Sequence, residues 1–386
     1  FPHLKNVGCL GCHNPCYHWL QIKKGRHAGL RQLGGHMTFM TAVLRNLEIE
    51  DFDEWIHFER LVQELGLDPA SFSVGLSWAI ECFEKGILTE KDTDGLTLRR
   101  GDADLVAEVA RRVARRQGAF AGLLADGMAE ASRKIGKGSR EIAPHVKGKP
   151  SLLKNPRIQA LIWSLGALTS PRGGDWLRLH NVYELAFVPT KIDNYPKFIG
   201  KTCDELYEQT VRLVDMPEEL KKKIFGDPPK IDMAWVKSTK GKALFAAWTE
   251  DFVCLFNSLV TCMFGAATQF LMVGFGPTTY SDILHKITGW DMPYQELMAV
   301  GERVFNLQRL FNYRLLGWDS RKDTWADKRA YEPAKMGIFK GSPVPWDEVL
   351  QDYYAVRGWS ARGIPTKAKL RRLQLLTMVG EMDIPD

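Results

Sequence analysis

Three cysteines near the start of the chain are spaced so that they could bind a metal centre. Cys9, Cys12 and Cys16 form a C-x2-C-x3-C run within Gly-Cys-Leu-Gly-Cys-His-Asn-Pro-Cys. The glycines and the proline allow this short loop to bring several thiolates around one centre. A [4Fe–4S] cluster takes four thiolates, commonly three from one loop and one from a distant segment. We therefore predict an iron–sulfur cluster, with Cys262 as the distant ligand.

Two other interpretations of the cysteine run stay open at this point. Three cysteines and a histidine satisfy tetrahedral zinc, so His13 or His18 could complete a structural zinc site. The run could also consist of ordinary buried or free thiols, although such residues seldom cluster at ligand spacing. Radical enzymes that use S-adenosylmethionine have the reverse order, C-x3-C-x2-C, which disfavours that class. The thiols outside the ligand set are predicted to be buried or free: Cys82, Cys203 and Cys254.

The composition indicates a folded protein without a membrane span. The chain has 386 residues, of which 45% are hydrophobic and 25% charged, as is typical of soluble globular domains. The net charge of +6 comes from scattered residues and does not demand nucleic acid. No segment offers about 18 consecutive apolar residues. Seven cysteines are too few and too unevenly placed for a disulfide scaffold, and the three within the first sixteen positions suggest a metal site in a reducing compartment, so we expect a cytoplasmic location.

Apolar residues at helical spacing predict a mostly α fold. A segment rich in glycine, proline and lysine, Gly136 to Pro156, suggests two helical domains, 1–148 and 149–386. Short hairpins are expected within the first 40 residues. The predicted helical segments are Met37 to Leu67 with a turn at Gly66, Phe72 to Ile87, Asp102 to Arg116, Gly122 to Ile135, Arg157 to Leu168, Ala243 to Val273 and Gln295 to Leu316.

Seven motifs, collinear over almost all of the chain, resemble the tungsten-containing aldehyde ferredoxin oxidoreductase family. Such agreement in order is hard to obtain by chance. The motifs are Glu64-Leu65-Gly66-Leu67-Asp68, Phe83-Glu84-Lys85-Gly86-Ile87-Leu88, Leu123-Leu124-Ala125-Asp126-Gly127, Ser170-Pro171-Arg172-Gly173, Asn257-Ser258-Leu259-Val260-Thr261-Cys262, a late helix with Glu302, Asn306, Arg309, Phe311, Asn312 and Arg314, and Gly358-Trp359 to Gly363-Ile364-Pro365-Thr366.

The resemblance implies an oxidoreductase that holds tungsten, or less often molybdenum, between two pyranopterins beside a [4Fe–4S] cluster. Such enzymes oxidise aldehydes to carboxylic acids and pass electrons to ferredoxin or another electron-transfer subunit, and relatives reduce aromatic acyl thioesters. The cofactor would supply the difficult chemistry and the protein would orient it. The resemblance implies that the cluster ligands are Cys9, Cys12, Cys16 and Cys262.

Two hexapeptides resemble the family's pterin-binding motifs, Asp-x-x-Gly-Leu-Asp and Asp-x-x-Gly-Leu-Cys. The first spans residues 63–68, where Gln63 replaces the leading acid and Gly66, Leu67 and Asp68 match. The second spans 257–262. It has Asn257 for the acid, Val260 for glycine and Thr261 for leucine, and only its final cysteine is intact. Asp68 also stands where it could cap a helix that begins at Pro69.

The expected substrate pocket departs from the family more sharply. His36 stands about where the family places a catalytic glutamate, and a histidine can act as acid or base near neutral pH. Trp176 replaces the histidine that usually follows Pro-Arg-Gly, and His180 lies four residues further on. The predicted catalytic or pocket residues are therefore His36, Arg172 and His180.

The family's N-terminal β-rich domain, which forms the base of the pterin site, has no counterpart before Cys9. We therefore expect a truncated gene, a split enzyme whose missing domain is a separate chain, or an excerpt of a longer protein. A rival hypothesis is a non-catalytic electron-transfer or scaffold subunit that keeps the cluster. This would explain Gln63, Asn257, Val260, His36 and Trp176 together as relaxed constraints.

Overall fold

The structure is a computed structural model that divides the chain into two compact units, which are treated separately below. It describes residues 3–12, 15–34, 46–151, 156–157, 161–175, 177–179, 208, 211–212, 214–262, 276–336 and 340–386. The first unit comprises Phe1–Lys154 and Trp325–Arg329, and the second comprises Asn155–Thr324 and Ala330–Asp386. The domain boundary predicted between residues 148 and 149 stays a prediction.

The first unit begins with a three-stranded antiparallel sheet and continues with helices. The strands follow one another in the sheet in chain order, with Val7 opposite Tyr17 and Gln21 opposite Arg31. A further two-stranded hairpin closes the unit. The elements are β1 His3–Val7, β2 Tyr17–Gln21, β3 Arg31–Gly34, α1 Phe52–Glu64, α2 Pro69–Glu84, α3 Ala103–Arg115, α4 Ala119–Ala125, α5 Met128–Ile135, β4 His145–Val146 and β5 Lys149–Pro150.

Capping carboxylates determine where the first three helices begin. The side chains of Asp51, Asp68 and Asp102 each accept a hydrogen bond from a backbone N–H in the first turn of α1, α2 and α3. Such caps satisfy donors that the helix leaves unpaired. The helices then bury an apolar core that includes Trp55 and Trp78. The indole N–H of Trp78 donates to the carbonyl of Ser139 at 3.0 Å, which satisfies a polar group inside the core.

The second unit is built around one long buried helix. In the described part of this unit the helices are α6 Leu161–Thr169, α7 Glu218–Phe225, α8 Met233–Lys237, α9 Lys242–Ser258, α10 Pro277–Thr288, α11 Tyr294–Leu316, α12 Trp346–Arg357 and α13 Lys367–Arg372. Helix α9 packs against α6, α11 and α12. Most of its side chains are therefore buried.

A buried ion-pair network fixes α9 to α12. Arg357 is 1% exposed and donates to Glu250 Oε2 at 2.7 Å and to Asp251 Oδ1 at 2.5 Å. The hydroxyl of Tyr353 also donates to Glu250, and so does the hydroxyl of Thr169 on α6. A buried charge is tolerated only when it is paired and hydrogen-bonded, so this network restricts how α6, α9 and α12 can pack.

The predicted mostly α fold is confirmed, and three predicted helical segments need correction. Within the run from Met37 to Leu67, residues 48–51 are not helical and α1 begins only at Phe52, after its Asp51 cap, while residues 35–45 lie outside the described residues. The run from Gly122 to Ile135 forms two helices, α4 and α5, because the chain turns at Gly127, where φ is +94°. The run from Ala243 ends as a helix at Ser258, and its last part, 263–273, lies outside the described residues. Within the part of the chain that the structure describes, no helix is both long and apolar enough to cross a membrane.

Candidate functional site

The cysteine run occupies the loop that joins β1 to β2. Val7 and Tyr17 are paired across the hairpin, so the nine residues between them return to the same edge. The N–H of Cys12 donates to the carbonyl of Cys9 at 3.0 Å, which forms a tight turn, and Gly11 has a φ of +72°. The thiols of Cys9, Cys12 and Cys16 are all exposed. The loop therefore presents three exposed sulfur ligands on a well-anchored hairpin.

The zinc alternative requires a histidine ligand, either His13 or His18. His13 lies outside the described residues. His18 is on β2, and its Nδ1 lies 3.0 Å from Oδ1 of Asn6 on the neighbouring strand. That contact engages one of the two ring nitrogens of His18 within the sheet.

The predicted fourth ligand, Cys262, lies in the second unit four residues after the end of α9 and is exposed. Tyr280 of α10 is close to it. The hydroxyl of Tyr280 is hydrogen-bonded to Thr261, and burial raises the pKa of that phenol, with the charge of Cys262 adding to the effect. Sequence reasoning did not single out Tyr280, because no motif in the chain marks it.

Two of the other cysteines are unsuited to bind a metal. Cys82 and Cys254 are both fully buried in helices. Burial, together with the charge of the neighbouring Glu81, raises the pKa of the Cys82 thiol to about 12. Because the thiolate is the form that ligates metals, Cys82 makes a poor ligand. Cys203 lies outside the described residues.

The two hexapeptides have the same local structure. In the first, which ends α1, the N–H of Leu67 donates to Val62 O and the N–H of Gly66 to Gln63 O. In the second, which ends α9, the corresponding bonds run from Thr261 to Phe256 and from Val260 to Asn257. Both are helix C-termini closed by a residue in the left-handed region. The shared local role of the two hexapeptides is therefore to terminate a helix.

The side chains of the first hexapeptide keep polar atoms exposed while bonding within the protein. Oε1 of Gln63 accepts from Nε2 of Gln32 on β3 at 3.0 Å. Oδ1 of Asp68 accepts from the N–H of Ser71 at 2.6 Å, so Asp68 is the cap of α2. Nothing lies within 4 Å of a Cβ built on Gly66. Both side chains are exposed, so the donor set and the open space fit a pterin ring.

The second hexapeptide fits such a ring less well. Asn257 is exposed and offers both a donor and an acceptor, but Thr261 is already bonded to Tyr280. The side chain of Val260 stands 93% exposed, where the first motif has the open face of a glycine. Glycine allows a ligand to approach the backbone closely, and the isopropyl group of Val260 prevents that approach.

Of the predicted pocket residues, the structure describes only Arg172. His36 and His180, like Trp176, lie outside the described residues. Arg172 is in the turn after α6, where its N–H donates to Ser170 Oγ at 3.2 Å. Its Nε donates to Asp175 Oδ2 at 2.6 Å, and its side chain is 62% exposed. Arg172 is therefore oriented by Asp175 and accessible to a ligand.

A histidine and carboxylate cluster in the first unit was missed by the sequence analysis. Ligand atoms of His27, Glu54 and His57 all lie within 4.8 Å of one another, an arrangement that could hold a metal ion. The rings of His27 and His57 stack with their centroids 4.1 Å apart. Arg26 Nε also donates to Glu54 Oε1 at 2.5 Å. The sequence signal that could have indicated this cluster is the spacing of Glu54 and His57, which places them one helical turn apart on α1.

Electrostatics in this cluster favour a neutral His57 beside an ionised Glu54. Burial lowers the pKa of His57, and the nearby charge of His27 lowers it further. Burial alone would raise the pKa of Glu54, but hydrogen bonds from Arg26 and His27 outweigh it and lower the pKa. The carboxylate already has a cationic partner in Arg26, which would compete with any metal ion.

Comparison with known proteins connects these features to one family. A family model described as aldehyde ferredoxin oxidoreductase, domains 2 and 3, matches residues 3–375. The tungsten-containing aldehyde ferredoxin oxidoreductase of Pyrococcus furiosus is 30% identical over 331 residues, which are 85% of this chain and 46% of that protein. The protein of the same name from Thermococcus kodakarensis is 28% identical, over 96% of this chain and 52% of that protein.

A solved structure has the same fold. It is the active site complex BamBC of benzoyl coenzyme A reductase with 1,5-dienoyl-CoA, and it superposes with a TM-score of 0.75 at 20% identity. The match covers 98% of this chain and 54% of that one. The chain thus spans about half the length of the relatives it matches. By its motifs and its match from end to end, it belongs to the aldehyde ferredoxin oxidoreductase family of oxidoreductases.

Proposed function

We propose that the chain is the cluster-carrying half of an oxidoreductase that oxidises an aldehyde to a carboxylic acid and passes the electrons to ferredoxin or another electron-transfer subunit in the cytoplasm. The observation that carries the proposal is the exposed loop with Cys9, Cys12 and Cys16, held at both ends by the β1–β2 ladder. Cys262 is proposed as the fourth ligand. Four thiolates are the donor set that a [4Fe–4S] cluster requires.

The two hexapeptides are proposed to hold a tungsten or molybdenum bis-pyranopterin. This group would supply the two-electron oxidation. Gln63 and Asp68 would hydrogen-bond one pterin while remaining anchored to Gln32 and Ser71, so that the helix end positions them rigidly. On the second motif Asn257 would make the corresponding contact. Because the match covers about half the length of the relatives, the rest of the site is proposed to come from a further domain or a separate chain.

The pocket residues have distinct proposed roles. Arg172 carries a positive charge at an exposed site and can bind the carbonyl or carboxylate oxygen of a substrate or product. Asp175 holds the guanidinium in one orientation. His36 and His180 are proposed as a proton acceptor or donor near neutral pH, the role for which histidine is suited.

Metal analysis of anaerobically purified protein tests the proposal. The wild type should contain about four irons per chain, as one [4Fe–4S] cluster requires, and the visible absorbance should bleach with dithionite. Cys262→Ala should lose the iron. Cys82→Ala is the matched control, since Cys82 is buried with a raised thiol pKa, and it should retain the iron. Equal iron in both variants, or zinc in place of iron, would contradict the ligand assignment.

One observation favours a second candidate, an electron-transfer or scaffold subunit with the cluster alone. Val260 covers the face at which the second pterin would approach. Iron with tungsten or molybdenum in the purified protein, or in its complex with a separate domain, would favour the oxidoreductase and lead to aldehyde assays. Iron alone under both conditions would favour the electron-transfer subunit.

A further inference from the structure

The second unit contains a pocket between the turn that follows α6 and the middle of α11. It has a volume of about 400 Å³ and is lined by Pro171, Arg172, Leu307, Gln308, Phe311 and Asn312. Nδ2 of Asn312 donates to the carbonyl of Pro171 at 2.6 Å, which fastens the turn to the helix. Small-molecule sites commonly have volumes of about 300–1,000 Å³. The pocket is therefore large enough for a small ligand, and one wall is rigidly held.

The apolar side of this pocket suits a flat ring. Leu307 and Phe311 are one helical turn apart on α11, and 37% and 62% of their surface is exposed. Contiguous exposed apolar surface, in contrast to single exposed side chains, often marks a ligand or partner site. A planar aromatic ligand could cover both side chains at once, stacking on Phe311 and contacting Leu307.

The polar groups of the pocket are complementary to a ligand that carries a negative charge and a hydrogen-bond donor. Asp175 engages Nε and Nη2 of Arg172, and the side chain is still 62% exposed. A guanidinium carries five donors, so Arg172 can also bind an anionic group. Oε1 of Gln308 is buried and accepts no hydrogen bond within the described part of the chain. Such an acceptor is costly to leave without a donor.

We propose that this pocket binds a hydroxylated aromatic carboxylate. The carboxylate pairs with Arg172, the ring lies against Leu307 and Phe311, and the ligand hydroxyl donates to Oε1 of Gln308. The inference rests on the proposed function in one respect, namely that Arg172 belongs to the substrate pocket. It then specifies the substrate class as hydroxylated aromatic aldehydes, whose oxidation yields acids of this kind.

Isothermal titration of the purified chain with 4-hydroxybenzoate and with benzoate tests the proposal. The wild type should bind 4-hydroxybenzoate about tenfold more tightly, the effect of one buried hydrogen bond. Gln308→Met keeps the side-chain length and should abolish this preference. Arg172→Gln should lower the affinity for both acids by about tenfold or more, since it removes the charged partner of their carboxylates. Arg371→Gln, at an exposed arginine of α13, is the control and should change neither affinity.

Two results would overturn the proposal: no saturable binding of either acid by the folded wild type, or affinities that Arg172→Gln leaves unchanged. Far-ultraviolet circular dichroism on each variant identifies any variant that has failed to fold. In that case Phe311→Leu is a second test, and it should lower the affinity for both acids. Binding is measured without turnover, so the two proposals can fail separately. Protein that lacks iron but binds the acids would refute the proposed function alone. Iron-replete protein that binds neither would refute only the inference about the pocket.

Discussion

Gly66 and Val260 occupy equivalent positions in two helix ends, one in each unit, and both have a positive φ, +69° and +56° respectively. At each site the next residue donates its N–H to a carbonyl five residues back, at 2.9 Å. The left-handed conformation is natural for glycine and strained for a β-branched side chain. The helix end therefore keeps its geometry at Val260 in spite of the residue it carries.

Val260→Gly should stabilise the protein. The left-handed conformation costs a non-glycine residue about 1–2 kcal/mol, which the substitution relieves. Glycine also has greater freedom in the unfolded chain, and this lowers the gain in stability by about 0.5–1 kcal/mol. No packing is lost, because Val260 is 93% exposed. We expect the free energy of unfolding to rise by about 0.5–1 kcal/mol, measured by urea denaturation.

The reciprocal substitution, Gly66→Val, is the matched control for this prediction. A Cβ on Gly66 meets no atom within 4 Å, so the substitution introduces backbone strain without a steric clash. It should lower the free energy of unfolding by an amount similar to the gain at Val260. A loss of stability in Val260→Gly would show that the strain argument is wrong and that the isopropyl group makes a stabilising contact.

Asp68→Ala should destabilise the chain even when no cofactor is present. The carboxylate of Asp68 caps α2 by accepting from Ser71, and removing such a cap costs about 1 kcal/mol. Asp68→Asn retains the acceptor and should have nearly the stability of the wild type. Thermal denaturation of metal-free protein measures both. If Asp68→Ala has no effect there, the cap contributes nothing and the residue serves only the cofactor.

The sequence predicted these helix ends because their signals are local. Glycine after an apolar run, aspartate before Pro69 and the spacing of apolar residues are properties of a few neighbouring residues. They located α2, α3, α6 and α11 to within a few residues, and they located the end of α1 but not its start. The resemblance to a family identified the two hexapeptides, although it did not reveal that they are the same kind of helix end. The break at Gly127 was missed because alanine, a strong helix former, continues on both sides of it.

Features that depend on tertiary packing could not be predicted. The stack of His27 on His57 joins residues 30 positions apart, one on a loop and one on α1. The contact of Tyr280 with Thr261 joins α10 to the end of α9. The pocket beside Arg172 needs α11, more than 130 residues later in the chain, to supply its other wall. No periodicity or motif records such pairings, because each depends on how whole helices pack.

Gly301→Ala should be strongly destabilising, although alanine is the better helix former. Gly301 lies in α11 where this helix crosses α9, and a Cβ added there would overlap the backbone carbonyl of Asp251. Backbone cannot yield as a flexible side chain can, so the helices would have to separate, at a cost of about 1–3 kcal/mol. The fall should appear as a lower midpoint of urea denaturation.

Gly122→Ala provides the comparison for Gly301. Gly122 is also in a helix, α4, but a Cβ there meets nothing within 4 Å. Alanine should therefore raise the free energy of unfolding by about 0.5–1 kcal/mol through helix propensity. If both substitutions stabilise the protein, then α9 and α11 are not packed as closely as the structure places them.

Asp251→Asn should flatten part of the pH dependence of stability. Burial raises the pKa of Asp251 to about 7, against the attraction of Arg357, and the charges of Glu302 and Glu250 add to the rise. A carboxyl whose pKa is higher in the folded than in the unfolded chain binds its proton more tightly when folded. Its stabilisation is present in full below its unfolded pKa of about 3.9 and is lost as the pH rises through about 7.

Asparagine resembles the protonated carboxyl, so Asp251→Asn and the wild type should be nearly equally stable at about pH 3.5, below the unfolded pKa of the carboxyl, and should diverge as the pH rises from there. By pH 8 the variant should be the more stable of the two by upwards of about 1 kcal/mol, since one unit of pKa shift corresponds to about 1.4 kcal/mol. Urea denaturation of both proteins from pH 3.5 to pH 8 measures the difference directly, and subtraction removes the contributions of groups that they share. Arg357 has one positive charge and faces two carboxyl groups, Glu250 and Asp251. A variant that becomes less stable than the wild type as the pH rises would show that Arg357 keeps Asp251 ionised, with its attraction exceeding the cost of burial.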